Sequence, residues 1–142
     1  MSYRSGNPRV RALAQTSLIS IVDDDMAVLE ATTSLLEAHG YATAAFKSAQ
    51  EFLQSPQVGD TMCLVTDVRM PGASGIDLQE QLIGAGHRIP TIVMTAHADE
   101  HVREAALKRG ALAFLTKPVS VDRLISCLES ALAVHGAAGA LR

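Results

Sequence analysis

The sequence predicts an α/β fold in which a parallel β-sheet is covered by helices on both faces. Strand-like and helix-like segments alternate five times along the chain, as they do in repeated strand–helix–strand units. The strand-like segments are short apolar runs without strict alternation, as expected of strands that are buried on both faces. Parallel neighbours need crossover connections, which the intervening helices supply. At 142 residues the chain is long enough for one such domain and too short for two.

The first half of the chain supplies three strands and two helices. The first strand is a β-branched run that ends in three consecutive aspartates, and the first helix has an apolar stripe followed by Gly40. The second helix begins at Ser48, which has the spacing of a capping box with Glu51. The predicted strands span 18–22, 41–46 and 62–65, and the predicted helices span 26–39 and 48–53.

The second half begins with Met70-Pro71-Gly72, a turn sequence that follows Asp67. Ser74 and Ser120 are suitable N-caps, and the segment from Gly84 to Gly86 breaks a helix. The predicted strands span 90–95 and 111–115, and the predicted helices span 74–83, 99–108 and 120–134.

Charge and cysteine content limit the class of protein. The net charge is −3, yet the first seventeen residues carry three arginines and no acid. We expect a flexible basic extension over 1–17, a domain over 18–135 and a frayed tail over 136–142. Three arginines in a leader of this length are weak evidence for a nucleic-acid interface. Cys63 and Cys127 lie in apolar patterns, which predicts reduced core residues and a cytoplasmic protein. No apolar run has the length of a bilayer span or the layout of a signal peptide.

Polar side chains stand at the ends of four of the five predicted strands. Asp23 and Asp24 follow the first strand, Asp67 the third, Thr95 the fourth and Lys117 the fifth. Because parallel strands end on the same side of a sheet, we expect these groups to converge. In open α/β sheets, ligands bind in the crevice beyond those strand ends.

Three clustered carboxylates repel one another and raise each other's pKa unless cations compensate them. The Lys117 ammonium is one such cation, and a divalent metal is another. An all-oxygen ligand set favours a hard metal, above all Mg²⁺. Taken singly, each residue also has an ordinary explanation: an aspartate can cap a helix, a threonine can bond locally and a lysine can be solvated. Their joint placement is what favours a site.

Four short motifs carry a family resemblance: Ile-Val-Asp-Asp-Asp, Thr-Asp-Val-Arg-Met-Pro-Gly, Val-Met-Thr-Ala-His and Phe-Leu-Thr-Lys-Pro. With these motifs in order, the chain resembles the receiver domain of bacterial two-component response regulators. It is CheY-like and most similar to the FixJ-type receivers, over residues 18–134. The resemblance implies a doubly wound, flavodoxin-like (βα)5 domain with strand order 2-1-3-4-5.

The resemblance also implies roles for the clustered acids. Asp67 would be the phosphoacceptor, taking a phosphoryl group from a phosphohistidine to form an aspartyl phosphate. Mg²⁺, with Mn²⁺ as an alternative, would be held by Asp23, Asp24, Asp67 and the backbone carbonyl of Arg69. The only chemistry of the chain would be its own phosphorylation and a slow autodephosphorylation, so the protein would not be an enzyme.

The same resemblance implies which residues respond to phosphorylation. Lys117 would pair with phosphate oxygens, and the Lys117–Pro118 peptide bond would be cis. Thr95 would bond the phosphate after activation, and Phe114 would be the aromatic switch residue. The face that changes would comprise the helix over 99–108, the fifth strand and the last helix. Its charges suggest a homodimer across a two-fold axis. They come from Arg103, Lys108, Arg109, Arg123, Glu100, Glu104 and Asp122.

The expected partner is a sensor histidine kinase or a phosphotransfer protein, with neither membrane nor direct nucleic-acid contacts. FixJ-type relatives commonly carry a C-terminal helix-turn-helix of the LuxR type, so the chain is either a stand-alone receiver or a piece of a longer regulator. Three other functions compete with this interpretation of the residues. A hydrolase of the haloacid-dehalogenase type needs an acid at the position of Arg69, which argues against it. A dinucleotide-binding module needs a Gly-x-Gly-x-x-Gly motif after a strand, and no predicted strand is followed by one. A receiver-like docking module that does not switch stays open.

Overall fold

The computed structural model describes residues 17–70, 72–97 and 99–140, with side chains as far as residue 133. The elements are β1 (Leu18–Val22), α1 (Met26–Ala38), β2 (Ala42–Phe46), α2 (Ala49–Leu53), a 3₁₀ turn (Val58–Asp60), β3 (Thr61–Asp67), α3 (Gly75–Gly84), β4 (Thr91–Thr95), α4 (Glu100–Lys108), β5 (Ala113–Thr116) and α5 (Val121–Ala140).

Five parallel strands form one sheet in the order β2-β1-β3-β4-β5. The predicted doubly wound, flavodoxin-like fold is therefore confirmed. The strand order reverses at β1, which lies between β2 and β3. In folds of this kind that switch point opens a crevice at the carboxyl ends of the strands.

Strand side chains alternate between two buried faces, so both sides of the sheet contribute to the core. Ile21 belongs to the cluster on one side, and its neighbour Val22 belongs to the cluster on the other. The first side packs against leucines of α1 and α5: Leu29, Leu36, Leu124, Leu128 and Leu132. The second side packs against α2, α3 and α4 through Phe52, Leu78, Leu82 and Ala106. Each fully buried leucine or phenylalanine contributes about 1.5–3 kcal/mol, which fixes the strands and hence the positions of their ends.

Several predicted boundaries differ from the observed ones. β3 is longer at both ends than the predicted 62–65, because its register with β4 extends to the pair Asp67–Met94. β5 begins at Ala113 rather than residue 111, and α5 continues to Ala140 rather than ending near 134. The predicted capping box of α2 is only half formed. Ser48 accepts from the Glu51 amide, but the Glu51 carboxylate accepts from the Lys47 amide.

The structure bears on the predictions about the two cysteines and about membrane-spanning segments. Cys63 is buried, Cys127 is half-buried and both are free thiols, as predicted. Burial, helped by Cys127, raises the pKa of the Cys63 thiol, which keeps it protonated. Across the described parts of the chain, no helix combines the length and the apolarity that a bilayer crossing requires. The domain division at 17 and 136 stays a prediction, and Arg4, Arg9, Arg11 and Pro71 lie outside the described residues.

Candidate phosphoacceptor site

The carboxyl ends of β1, β3 and β5 bring three predicted residues together. Asp67 is the last residue of β3, and Asp23 directly follows β1. The Asp23 amide donates to the Phe46 carbonyl, at 3.1 Å, which ties it to the end of β2. The Lys117 amide donates to the Thr95 carbonyl, at 2.7 Å, so the residue after β5 is held against the end of β4. The Lys117–Pro118 bond is cis, as predicted.

Lys117 links two of the carboxylates through its ammonium group. Its Nζ donates to Asp23 Oδ2, at 2.8 Å, and lies 3.4 Å from Asp67 Oδ2. Asp23 Oδ1 accepts from the Asp25 amide, at 2.9 Å, and Asp67 Oδ1 accepts from the Val68 amide, at 2.8 Å. Asp23 is 1% exposed, and the Lys117 side chain is 17% exposed. The lysine is therefore not the solvated surface charge that its residue type suggests on its own.

Asp24 completes a cluster of three acids. Ligand atoms of Asp23, Asp24 and Asp67 all lie within 4.8 Å of one another. Asp24 is exposed, whereas Asp25 turns away to cap α1 by accepting from the amides of Ala27 and Val28. The third acid of the motif thus has the ordinary helix-start role, and the first two belong to the site.

Burial and neighbouring charges shift the pKa values of two groups in this cluster. The pKa of the Asp67 carboxyl is raised, chiefly because burial disfavours its ionised form and further because Asp23 is negative. Lys117 and the Val68 amide oppose that rise. Burial alone would lower the pKa of Lys117. Its hydrogen bond to Asp23 and the two carboxylate charges outweigh that effect, so its pKa is raised and it stays charged.

Thr95 lies at the same edge of the sheet but is engaged elsewhere. It is 2% exposed, and its hydroxyl donates to the His97 carbonyl and accepts from the His97 amide, at 3.3 and 3.1 Å. The local hydrogen-bond role that its residue type allowed is therefore observed. Phe114 is partly buried against a cluster that includes Val93 and Ala106 on the α4 side. The switching roles of Thr95 and Phe114 stay predictions.

Gly75 is a residue of the site whose role could not be read from the sequence. It begins α3, and a Cβ at this position would collide with the backbone carbonyl oxygen of Asp67. Its amide donates to the Val68 carbonyl, at 2.9 Å, which draws the helix against the strand end. The only signal was a glycine immediately after the N-cap Ser74, a position that ordinarily tolerates a side chain.

Arg69 and Arg109 were both assigned roles from the sequence, and their side chains lie in different surroundings. The side chain of Arg69 is exposed, and the assignment of its carbonyl as a metal ligand stays a prediction. Arg109 was predicted to charge the switching face, which is wrong. Its guanidinium pairs with Glu80 of α3, with Nη2 and Nε at 2.6 and 2.8 Å from Oε2. Because Arg109 caps the end of α4, its long side chain reaches the neighbouring helix rather than the opposite face.

The donor set is compatible with the divalent metal that the sequence suggested. Three carboxylates share a small volume, and Lys117 is the one cation that the described residues pair with them. The exposed Asp24 has oxygens open to solvent. Oxygen-only sites with few protein ligands, water and phosphate are what Mg²⁺ prefers.

Comparisons with known proteins agree with this geometry. Residues 19–129 match the response regulator receiver domain family. The chain is 42% identical over 118 residues to the response regulator protein TodT of Pseudomonas putida, which covers 83% of this chain and 52% of TodT. It is 40% identical over 114 residues to the transcriptional regulatory protein FixJ of Azorhizobium caulinodans, which covers 80% of this chain and 54% of FixJ.

Solved structures give the same result. The crystal structure of FixJ-N superposes with a TM-score of 0.75 at 35% identity, covering 83% of this chain and 94% of FixJ-N. The response regulator StyR superposes with a TM-score of 0.82 at 38% identity, covering 89% of this chain and 64% of StyR. The chain spans about half the length of the curated relatives that it matches. It belongs to the response regulator receiver domain family, as a CheY-like receiver of the FixJ type.

Proposed function

We propose that this receiver accepts a phosphoryl group on Asp67 from a phosphohistidine of a sensor kinase or a phosphotransfer protein, in the cytoplasm. The observation that carries the proposal is the Lys117 ammonium, which lies between Asp23 and Asp67 at 2.8 and 3.4 Å. It balances the charge of the crevice and leaves Asp67 12% exposed, within reach of a donor.

In the transfer, one carboxylate oxygen of Asp67 forms a bond to phosphorus while the phosphorus–nitrogen bond of the phosphohistidine breaks. The imidazole leaves with that electron pair, and the product is an acyl phosphate. Most of the catalysis is positioning and charge neutralisation, because the transferring group requires little covalent help. The Val68 amide donates to Oδ1 and so orients the nucleophile. Lys117, whose Nζ lies 3.4 Å from Asp67 Oδ2, would pair with the incoming phosphate oxygens.

The residues that would hold the metal are Asp23, Asp24, Asp67 and the carbonyl of Arg69. When bound, Mg²⁺ supplies positive charge to the phosphoryl oxygens during transfer. Mn²⁺ has the same oxygen preference and would serve in its place. Asp24 is the most accessible of the three acids, whereas Asp23 already shares its oxygens with Lys117 and the Asp25 amide.

Switching would begin at Thr95. To donate to a phosphate on Asp67, its hydroxyl must give up the hydrogen bond that it donates to the His97 carbonyl. The chain between β4 and α4 would then move, and Phe114 would turn inward into the space that Thr95 vacates. We propose that the changed α4-β5-α5 face forms a homodimer. To move the population from mostly inactive to mostly active, phosphorylation must favour the active state by about 5 kcal/mol.

Intact-mass spectrometry after incubation with acetyl phosphate and Mg²⁺ tests the phosphoacceptor. We expect one added phosphoryl group, absent without the metal, absent in Asp67→Asn and retained in Asp60→Asn. Asp60 is a suitable control because it is an exposed aspartate that precedes the same strand, at the opposite end. The same adduct on Asp67→Asn would mean that another residue is the acceptor.

Sedimentation velocity with beryllofluoride and Mg²⁺, which together mimic the phosphoryl group, tests the switch separately. We expect a monomer without them and a dimer with them. If mass spectrometry shows the adduct but the sedimentation coefficient does not change, the domain accepts phosphate without dimerising. A docking role through other proteins would then replace the homodimer.

A further inference from the structure

The first turn of α4 has few connections to the rest of the domain. Asp99 accepts from amides of its own helix, and the exposed Arg103 pairs with Glu100 of the same helix, at 3.4 Å. Among the described residues, no side chain over 99–104 forms a hydrogen bond or an ion pair with another element. Ala106, near the other end, is the one buried residue of α4. The helix is therefore held mainly at its C-terminal end.

Two consecutive residues of α3 tie that C-terminal end in place. The Gln79 amide nitrogen donates to the Ala106 carbonyl, at 3.2 Å. Oε2 of Glu80 lies 2.8 Å from Nε and 2.6 Å from Nη2 of Arg109, the residue that caps the end of α4. The Ala106 carbonyl also accepts from the Ala111 amide, at 3.0 Å, in the turn that follows the helix. Both contacts with α3 therefore act on the last turn of α4.

Gln79 does more at this position than fill space. Its side chain is 3% exposed, and among the described residues its amide oxygen has no hydrogen-bond donor. A buried polar atom without a partner lowers stability, and an apolar side chain of similar size, such as methionine, would avoid that loss. What glutamine adds is the bond to the Ala106 carbonyl, which sets where the end of α4 lies on α3.

We propose that Gln79 and Glu80 form the pivot of the switch, holding the C-terminal end of α4 on α3 while its N-terminal end moves. This inference rests on the proposed function, in which switching begins at Thr95. Thr95 bonds to His97, which lies just before α4, so the movement reaches the helix at its loosely held end. A helix of nine residues is about 13 Å long, and a rotation of about 10° moves its first turn by about 2 Å.

Amide hydrogen exchange of the unphosphorylated protein tests the pivot without depending on the phosphoacceptor. Two backbone bonds at opposite ends of α4 have nearly equal lengths. The Arg103 amide donates to the Asp99 carbonyl, at 2.9 Å, and the Ala111 amide donates to the Ala106 carbonyl, at 3.0 Å. We expect the Ala111 amide to be protected at least about tenfold more than the Arg103 amide, because its end of the helix opens less often. Equal protection would overturn the proposal.

Variants that each remove one contact identify the residues responsible. Gln79→Met removes the hydrogen bond to α4, and Glu80→Gln removes the ion pair. Each should speed exchange of the Ala111 amide about three- to fivefold and leave the Arg103 amide unchanged. Glu100→Gln breaks an exposed ion pair within α4 and should leave the Ala111 amide unchanged. The pivot is rejected if neither α3 variant affects Ala111, or if Glu100→Gln affects it equally.

Addition of beryllofluoride and Mg²⁺ tests the movement itself, with ¹H–¹⁵N spectra as the readout. In wild type the Arg103 amide should shift and the Ala111 amide should not. In the double variant Gln79→Met, Glu80→Gln both should shift, whereas a merely structural contact would alter stability without altering which end moves. Equal shifts, or none, at the two ends of the wild-type helix would overturn the pivot. If the Val68 amide, at the phosphoacceptor, does not shift, the proposed function fails, and the exchange rates alone decide the pivot.

Discussion

The two ends of this sheet differ in how their charged and polar side chains are paired. At the carboxyl end, Asp23, Asp67 and Lys117 come from three strands, and the distances that join them are 3.4 Å or less. At the other end, polar and apolar residues together line a cavity between α3, β4 and α4. Among the described residues, Arg88 in that lining has no salt bridge and the buried Gln79 amide oxygen has no donor. The charged groups in the crevice come from distant parts of the chain and pair with one another, so a substitution of one changes the electrostatic environment of the others. The ion pair at the cavity, Arg109 with Glu80, is partly exposed to solvent, so substitutions there should be tolerated better.

The largest difference in stability between the two ends should come from glycine-to-alanine substitutions. Gly75→Ala places a Cβ against the Asp67 carbonyl, where only backbone movement makes room. We expect a loss of about 2–3 kcal/mol in the free energy of unfolding, and slower phosphorylation because Asp67 is displaced. Gly59→Ala, near the opposite end of β3, meets nothing within 4 Å and should change stability by less than about 0.5 kcal/mol. Urea unfolding measures both, and equal losses would contradict the close approach.

The next difference concerns ion pairs. Asp23→Asn removes the buried carboxylate charge that pairs with the Lys117 ammonium. We expect a loss of about 1–2 kcal/mol in the free energy of unfolding, which is moderate because Asp67 remains to pair with the lysine. Glu80→Gln breaks the pair with Arg109 at the other end, where the Glu80 side chain is 52% exposed. That loss should lie between about 0 and 1 kcal/mol. Thermal or urea unfolding at neutral pH compares the two. If Glu80→Gln is the more damaging, the assignment of the buried pair as the stronger one is wrong.

A smaller effect of opposite sign is expected at the phosphoacceptor. Because the pKa of Asp67 is raised in the folded state, its ionisation costs stability once the pH exceeds that raised pKa. The cost is absent below the ordinary aspartate pKa of about 3.9, where the carboxyl is protonated in both states. Asp67→Asn does not ionise, so it should be more stable than wild type at neutral pH. Its advantage should shrink as the pH falls through the raised pKa. Urea unfolding over that pH range checks this, and an advantage that grows toward acid would contradict it.

Much of the fold and most of the site were predictable because they depend on local sequence. Continuous apolar runs placed all five strands, and the polar residue after each run placed Asp23, Asp67 and Lys117 at one edge. The family resemblance then supplied the strand order and the cis bond. A local capping signal also worked at Ser74, whose hydroxyl accepts from the Asp77 amide while the Asp77 carboxylate accepts from the Ser74 amide.

What escaped prediction depends on contacts between residues far apart in the chain. The Gln79 amide meets a carbonyl 27 residues away, and Arg109 meets an acid 29 residues away. The role of Gly75 depends on how closely α3 approaches the end of β3, which no sequence window contains. Periodicity shows which residues are buried. It does not show which helix an exposed arginine reaches or where packing leaves a cavity.

The smallest effect on stability should come from Asp24, and it separates metal binding from folding. Asp24 is exposed in a cluster of like charges, so Asp24→Ala should leave the free energy of unfolding within about 0.5 kcal/mol of wild type, or slightly above it. The same variant should lose the rise in melting temperature that Mg²⁺ produces in wild type, because a ligand of the folded state stabilises in proportion to its binding. Asp60→Asn should keep that rise. A marked fall in melting temperature for Asp24→Ala without metal would show that Asp24 supports the fold, and an undiminished Mg²⁺ response would place the metal elsewhere.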